Sequence, residues 1–350
     1  MNSKEFEGVV VSGVACAVPS HIKYTDSYID HFGENVVRKF KTATGIEARH
    51  LSDGTQTAAD LCYEAAIALM RKKGLTGEDF DALIFLTQTP DYRLPSTAYV
   101  LQKRLEIKQD CLVFDINLGC SAFVNGVYIA AGLVESGTID RALVLIGDCD
   151  TPHTLSEDTS FTMMFGDAGS ATIVEKGNGS IKGMIRSDGE GFDKLITPIP
   201  GYRFPGVTLA DAPELHKKMD GDDVFLFTIT KVPKLFKAFY KEFDVSSEDF
   251  DYFVLHQANL MIVNQIAKKL KIDSVKVPVT LKEYGNTDGA SVPVGIVDTC
   301  EKLESGKKIS MITSGFGIGL SWGIVSFDIN TNDVLPMIVT DEYYQEGKNV

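Results

Sequence analysis

Two short matches constrain this chain more than any other feature. Residues 78–81 and 248–251 both read EDFD, and each copy precedes an apolar run, ALIFL in one case and YFVL in the other. Residues 134–137 read VESG and 303–306 read LESG, each closing a helical pattern. The offsets are 170 and 169 residues. A chain that repeats itself at one such distance is built from two similar units packed together. The spacing sets an N-terminal half at 1–175 and a C-terminal half at 176–350, whose last part, 329–350, is an acidic tail.

Within both halves short β-branched runs alternate with helical patterns. Strands are predicted at 9–15, 82–88, 111–116, 142–147, 170–175, 251–256, 308–313 and 322–328. Helices are predicted at 57–73, 97–105, 121–136, 224–242, 258–270 and 292–304. That alternation gives an α/β fold with a mainly parallel sheet.

The chain of 350 residues is 44% hydrophobic and 23% charged, with a net charge of −14. An acidic chain without a Lys/Arg block does not suit nucleic acid. The same charge hinders docking to an acidic carrier protein unless a local basic patch offsets it. No apolar run is long enough for a membrane span, and the start MNSKEFEG does not read as a signal peptide. The six cysteines show neither CxxC nor zinc spacing. They read as reduced thiols, with a cytoplasmic location, no metal and no resident cofactor.

One of these cysteines has a distinctive setting. Cys120 lies in DINLGCSAFVNGVYIAAGL (115–133), between the turn residues Asn117 and Gly119 and a helix starting near Ser121. Unpaired N–H groups at a helix start favour a thiolate, so a lowered thiol pKa is expected. A small buried hydrophobe is the alternative reading of the same residue. His256 follows the strand YFVL and opens HQANLMIVNQIAKKL, where it serves equally as a base, a cap or a core histidine. Asn286 lies in YGNTDGAS (284–291), which also suits a plain turn. If the halves pack about a pseudo-twofold axis, the Cys120 and Asn286 loops face each other, and His256 joins them. Cys, His and Asn together form a nucleophilic set. His256 and Asn286 can also bind a thioester enolate oxygen as two donors. The glycine-rich GFGIGLSWG (315–323) permits close backbone approach, and serves equally as a tight loop before a strand.

These residues resemble the thiolase-fold condensing enzymes, most closely the β-ketoacyl-acyl-carrier-protein synthase III family. GCSAF around Cys120, FGDAGSA (165–171), MDGDDVF (219–225), HQAN (256–259), YGNTDGAS and GFGIGLSWG carry the resemblance, in order and across nearly the whole chain. It implies a thiolase-like αβαβα five-layered fold made of two duplicated halves, and a homodimer. It implies a transferase, an acyltransferase of fatty-acid or other lipid metabolism. Cys120 takes an acyl group from an acyl-CoA or acyl-carrier-protein thioester. His256 and Asn286 bind a malonyl thioester as it loses CO₂, and the carbanion equivalent attacks the acyl carbonyl to give a 3-oxoacyl product. The N–H groups of Cys120 and of the loop near Ile318 hold the acyl oxyanion, Phe316 packs beside the nucleophile, and Leu94 of a partner subunit closes the acyl pocket.

The chain also departs from the resembled pattern. Lys39, Ala43 and Thr159 stand where a tryptophan and two arginines hold the CoA end of the donor. Met261 and Leu226 replace an arginine and a lysine used in carrier docking. Leu94 replaces a bulkier residue, which leaves room for a longer or branched acyl group. Gln88 replaces the glutamate that hydroxymethylglutaryl-CoA synthases need as an acid, which sets that branch aside. These losses point to specialised metabolism rather than housekeeping initiation. Acyl transfer to an oxygen or nitrogen acceptor on the same fold, and a non-catalytic acyl-binding subunit, are the competing readings.

Overall fold

A computed structural model describes residues 3–150, 159–199, 201–208, 212, 215 and 217–349. Its main sheet has nine strands: β1 (Ser3–Pro19), β2 (Ala82–Leu86), β3 (Leu112–Ile116), β4 (Arg141–Asp148), β5 (Ala168–Ser187), β6 (Tyr252–Leu255), β7 (Lys308–Gly317), β8 (Ser321–Asn330) and β9 (Ile338–Thr340). Six helices cover or fill it: α1 (Ala58–Lys73), α2 (Thr97–Arg104), α3 (Ala122–Glu135), α4 (Gly221–Phe243), α5 (Leu260–Leu270) and α6 (Ser291–Glu301).

The two EDFD copies fold alike for the same physical reason. In each, a hydroxyl residue opens a 3₁₀ turn, and the first aspartate of the motif reaches back to close a capping box. Asp79 accepts from the Thr76 N–H at 2.8 Å, and Asp249 from the Ser246 N–H at 2.6 Å. The second aspartate then ties the strand start to its neighbour. Asp81 accepts from the Asp140 N–H at 2.8 Å, and Asp251 from the Ser310 N–H at 2.9 Å. Gly137, just past α3, and Gly306, in the turn between α6 and β7, take φ of +75° and +80°, which glycine adopts without steric cost.

The strand order is β6-β7-β8-β5-β4-β2-β3, with β1 beside β5 and β9 beside β1. β5 passes from one unit to the other: its residues 168–175 pair with β4 and 182–187 with β8. The sequence division at 175/176 falls inside this strand.

Three apolar cores lie between successive layers. Leu83 and Phe85 of β2 and Leu143 and Leu145 of β4 face α1 and α2. The alternate residues Ala82, Ile84, Leu86, Val144 and Ile146 face the opposite way, onto α3 and α6, which also meet Val254, Met311 and Val325. Phe253, Leu255, Ile312 and Ile324 turn outward to α4 and α5. Alternation along each strand thus produces helix, sheet, helix, sheet, helix. The middle helices are enclosed on all sides, which explains their small and apolar sequences. Every residue from Ser291 to Cys300 is buried. A Cβ on Gly126 would lie 2.9 Å from both Leu86 and Val144 side chains.

The sheet is mixed rather than mainly parallel. β2/β3, β2/β4, β6/β7 and β1/β9 run parallel, while β4/β5, β5/β8, β7/β8 and β1/β5 run antiparallel. The turn from Gly317 to Ser321 is too short for a crossover helix, so β7 and β8 form a hairpin. The tail packs on its own chain. β9 pairs with β1, the Gln56 amide donates to the Glu342 carbonyl (2.8 Å), and the Tyr344 N–H donates to Asp60 (2.9 Å).

Candidate active site

Cys120 sits just before α3 and is 8% exposed. Three glycines let backbone close around it. A Cβ on Gly317 would stand 2.8 Å from both Cβ and Sγ of Cys120, and one on Gly315 would stand 2.8 Å from the Cys120 carbonyl oxygen. On the other side, a Cβ on Gly119 would meet Gln88 Oε1 at 2.3 Å and Asp288 Oδ1 at 2.7 Å. Ser121 shares a 2.6 Å hydrogen bond with Ser321, whose hydroxyl donates to the Ile318 carbonyl at 2.8 Å. The start of α3 and the 317–321 turn are thereby locked together, with the Ile318 backbone at the Cys120 thiol.

His256 ends β6, and its N–H donates to the Ser314 carbonyl at 2.8 Å. Its Nδ1 lies 2.6 Å from the Ser291 hydroxyl, and Phe316 packs edge-on against the ring at a centroid distance of 5.3 Å. Burial pushes the imidazole pKa down to about 3, against a smaller upward pull from a hydrogen bond with the Asp288 backbone. The ring is therefore neutral at physiological pH and acts as a hydrogen-bonding group rather than a cation. The rest of HQAN is structural. Gln257 accepts from the Thr280 N–H at 3.1 Å, and Asn259 caps α5 by accepting from the Ile262 N–H at 2.8 Å.

Asn286 is 4% exposed and is held from both sides by Met164 and by Gly166 of the adjoining FGDAGSA. Its N–H donates to the Met164 carbonyl and its carbonyl accepts from the Gly166 N–H, both at 3.0 Å. Its Oδ1 accepts from the Asp288 N–H at 3.0 Å, which turns the amide nitrogen, the donor end, the other way. The three residues singled out from sequence are brought together, and Asp288 touches the surroundings of each. Its side chain is a hydrogen-bonding neighbour of the Cys120 thiol, and its backbone bonds His256 and Asn286.

The charges around Cys120 overturn the expected thiolate. Burial, then the negative charge of Asp288, push the thiol well above its ordinary value; the Ile318 backbone and Lys217 pull only weakly the other way. Desolvation at a nearly enclosed sulfur works against the positive end of α3. Asp288 and Asp148 are also pushed up, chiefly by burial. Lys217 pairs with Asp150 and lies 4.3 Å from the centre of the Phe165 ring.

Asp288, Ser291 and Lys217 were missed in the sequence reading. An acid in a run of small residues leading into an apolar helix is the signal that points to Asp288. Nothing local marks Lys217. Phe316 packs on His256 rather than having a chemical part of its own. Leu94 is 81% exposed in the single chain. Lys39 and Ala43 are exposed on the helix Glu34–Thr44, and Leu226 and Met261 are exposed on α4 and α5. The Thr159 side chain lies outside the described residues. Among the described residues no cluster of His, Cys, Asp or Glu is arranged to hold a metal ion, and no helix is long and apolar enough to cross a membrane.

Residues 114–189 match the family model for 3-oxoacyl-[acyl-carrier-protein] synthase III, and residues 241–329 match its C-terminal model. A β-ketoacyl-[acyl-carrier-protein] synthase III of Clostridium tetani is 33% identical over 292 residues, covering 81% of this chain and 87% of that one. One from Clostridioides difficile is 31% identical, covering 89% and 96%. The crystal structure of a 3-oxoacyl-(acyl-carrier protein) synthase from Burkholderia xenovorans superposes with a TM-score of 0.90 at 32% identity, covering 97% of this chain and 99% of that one.

Proposed function

Since this chain belongs to the 3-oxoacyl-[acyl-carrier-protein] synthase III family of condensing acyltransferases, we propose that Cys120, His256 and Asn286 carry out an acyl transfer followed by a decarboxylative condensation. Cys120 accepts the acyl group of a CoA or carrier-protein thioester. The N–H groups of Cys120 and Ile318 receive the oxyanion that develops on its carbonyl. His256, neutral and anchored by Ser291, and the Asn286 amide donate to the thioester oxygen of a malonyl group. The enolate formed as CO₂ leaves is stabilised there and attacks the acyl carbon. The bond from the acyl carbon to sulfur breaks, the 3-oxoacyl thioester departs, and the Cys120 thiolate takes a proton from water to restore the thiol.

The observation that carries this reading is the shared packing of all three residues around Asp288, with two donor side chains and one nucleophile in a nearly dry site. Intact-protein mass spectrometry after incubation with a panel of acyl-CoA and acyl-carrier thioesters tests it. One acyl mass on the wild type and none on Cys120→Ser is expected; equal labelling of both proteins overturns it. Release of CO₂ from a malonyl thioester separates carbon–carbon bond formation from transfer to an oxygen or nitrogen acceptor.

The homodimer belongs to the same reading. β3 pairs only with β2 among the described strands, and its Leu112 is 44% exposed, as are Tyr99 (51%) and Leu94 (81%) nearby in sequence. An unpaired apolar edge favours pairing with a second copy, which would bring Leu94 to the partner's acyl pocket. Light scattering is expected to give twice the 38.2 kDa chain mass for the wild type and a single-chain mass for the double variant Leu112→Asp, Tyr99→Asp. The six unpaired cysteines favour a reducing, cytoplasmic setting.

A further inference from the structure

Asp288 is a residue at this site whose chemistry the reading above leaves unused. It is 4% exposed, adopts φ of +46°, and directs its carboxyl at the Cys120 thiol. Its Oδ1 is buried without a hydrogen-bond partner, beside Gly119. A buried acceptor left open costs stability unless something uses it. The groups facing it are Cys120, the carboxylates of Asp148 and Asp150, and the ammonium of Lys217. Lys217, held cationic by Asp150 and Asp288 together, supplies the countercharge that lets a carboxylate exist there. A side chain that served only to fill space would not need the strained backbone that aims it at sulfur.

We propose that Asp288 is the proton acceptor that activates Cys120 for acyl loading. This rests on Cys120 being the nucleophile. The Cys120 S–H bond breaks as its proton moves to the Asp288 carboxylate. The sulfur forms its bond to the acyl carbon, and the bond from that carbon to the donor sulfur breaks. Asp288 then passes the same proton to the departing thiolate, which leaves as a free thiol, and Asp288 is a carboxylate again. No oxidant, metal or further reactant is needed. Cys120 is enclosed, so its proton has little access to bulk water and a carboxylate inside the site is placed to take it.

The contrary role makes an opposite forecast, because a carboxylate that merely repels a thiolate slows loading. The experiment is single-turnover acyl loading of Cys120, followed by intact-protein mass spectrometry from pH 5.5 to 9.5, for wild type and Asp288→Asn. Asparagine keeps the size and tolerates the left-handed backbone. The expected result is loading at least about 100-fold slower at pH 7, rising about tenfold per pH unit as hydroxide replaces the lost base. Asp288→Gly, which frees the backbone and opens a small space, is expected to recover speed with added formate and not with chloride. Loading by Asp288→Asn at the wild-type rate or faster overturns the proposal, as does an Asp288→Gly variant indifferent to formate. If wild type itself fails to load, the nucleophile assignment falls instead.

Discussion

Adding one methyl group at Gly317 tests the construction of the site without replacing any proposed catalytic group. In Gly317→Ala the new Cβ would lie 2.8 Å from both Cβ and Sγ of Cys120. Ordinary carbon contacts begin at about 3.4 Å, so the pair must separate by about 0.6 Å. Neither side yields easily. Gly317 is paired with Ser321 at the end of the β7/β8 hairpin, and Ser121 and Ser321 bond each other beside the thiol. Overpacking of this kind costs about 1–3 kcal/mol of stability. A displacement approaching 1 Å costs about 100-fold in rate. Acyl loading on Cys120, read by intact-protein mass spectrometry at saturating donor, is expected to fall between about 10-fold and 100-fold, with an unchanged far-ultraviolet spectrum. Loading within twofold of wild type would refute the claim that the glycine exists to admit the nucleophile.

Three further outcomes follow from the same geometry. Alkylation of Cys120 by iodoacetamide, resolved by peptide mapping, is expected to stay slow at pH 7 and still be rising at pH 9.5, because burial holds the resting thiol protonated; a plateau below pH 8 would contradict this. His256 is held neutral down to about pH 3 in the fold but takes a proton near 6.5 when unfolded, so stability falls as pH drops through that window. His256→Gln removes that proton, and wild type is expected to lose about 2 kcal/mol more than the variant between pH 6.5 and 5 in urea melts; parallel losses would exclude it. Arg104 and Asp60 form a nearly buried pair at 2.8 Å, with Arg104 also over the Tyr344 ring at 4.6 Å. Arg104→Met is expected to cost about 3 kcal/mol by leaving the Asp60 carboxylate without its counter-ion, and an unchanged melting midpoint would show that the ion pair adds nothing to stability.

Much of the fold was legible because its signals are local. EDFD encodes a capped turn followed by a strand, and its two copies read the same way from four residues each. Strand and helix periods survive in segments buried on one or both faces, such as Ala82–Leu86 and Ala122–Glu135. The helix Glu34–Thr44 was missed because its apolar face is short, Val37, Phe40 and Thr44 set among charged and polar residues. β9 was missed because three residues at a sheet edge, none of them fully buried and Val339 exposed, carry almost no pattern. The direction of the sheet depends on whether each connection is long enough to cross over, which strand periodicity does not record. At the site, Cys120, His256 and Asn286 announce themselves by residue type at element ends. Lys217 and the upward shift of the Cys120 thiol depend on which charges become neighbours after folding. Helix-start reasoning saw one field at that sulfur and missed the desolvation and the carboxylate that exceed it.

The most direct measurement separates the two half-reactions in one protein. Asn286→Ala should load Cys120 at close to the wild-type rate when offered an acyl thioester. Offered a malonyl thioester afterwards, it should release CO₂ at least about 100-fold more slowly than wild type, with the acyl group still on the sulfur by mass spectrometry. Rapid CO₂ release and a normal 3-oxoacyl product from that variant would mean that the amide does not bind the enolate, and that these three side chains share a site without sharing the reaction.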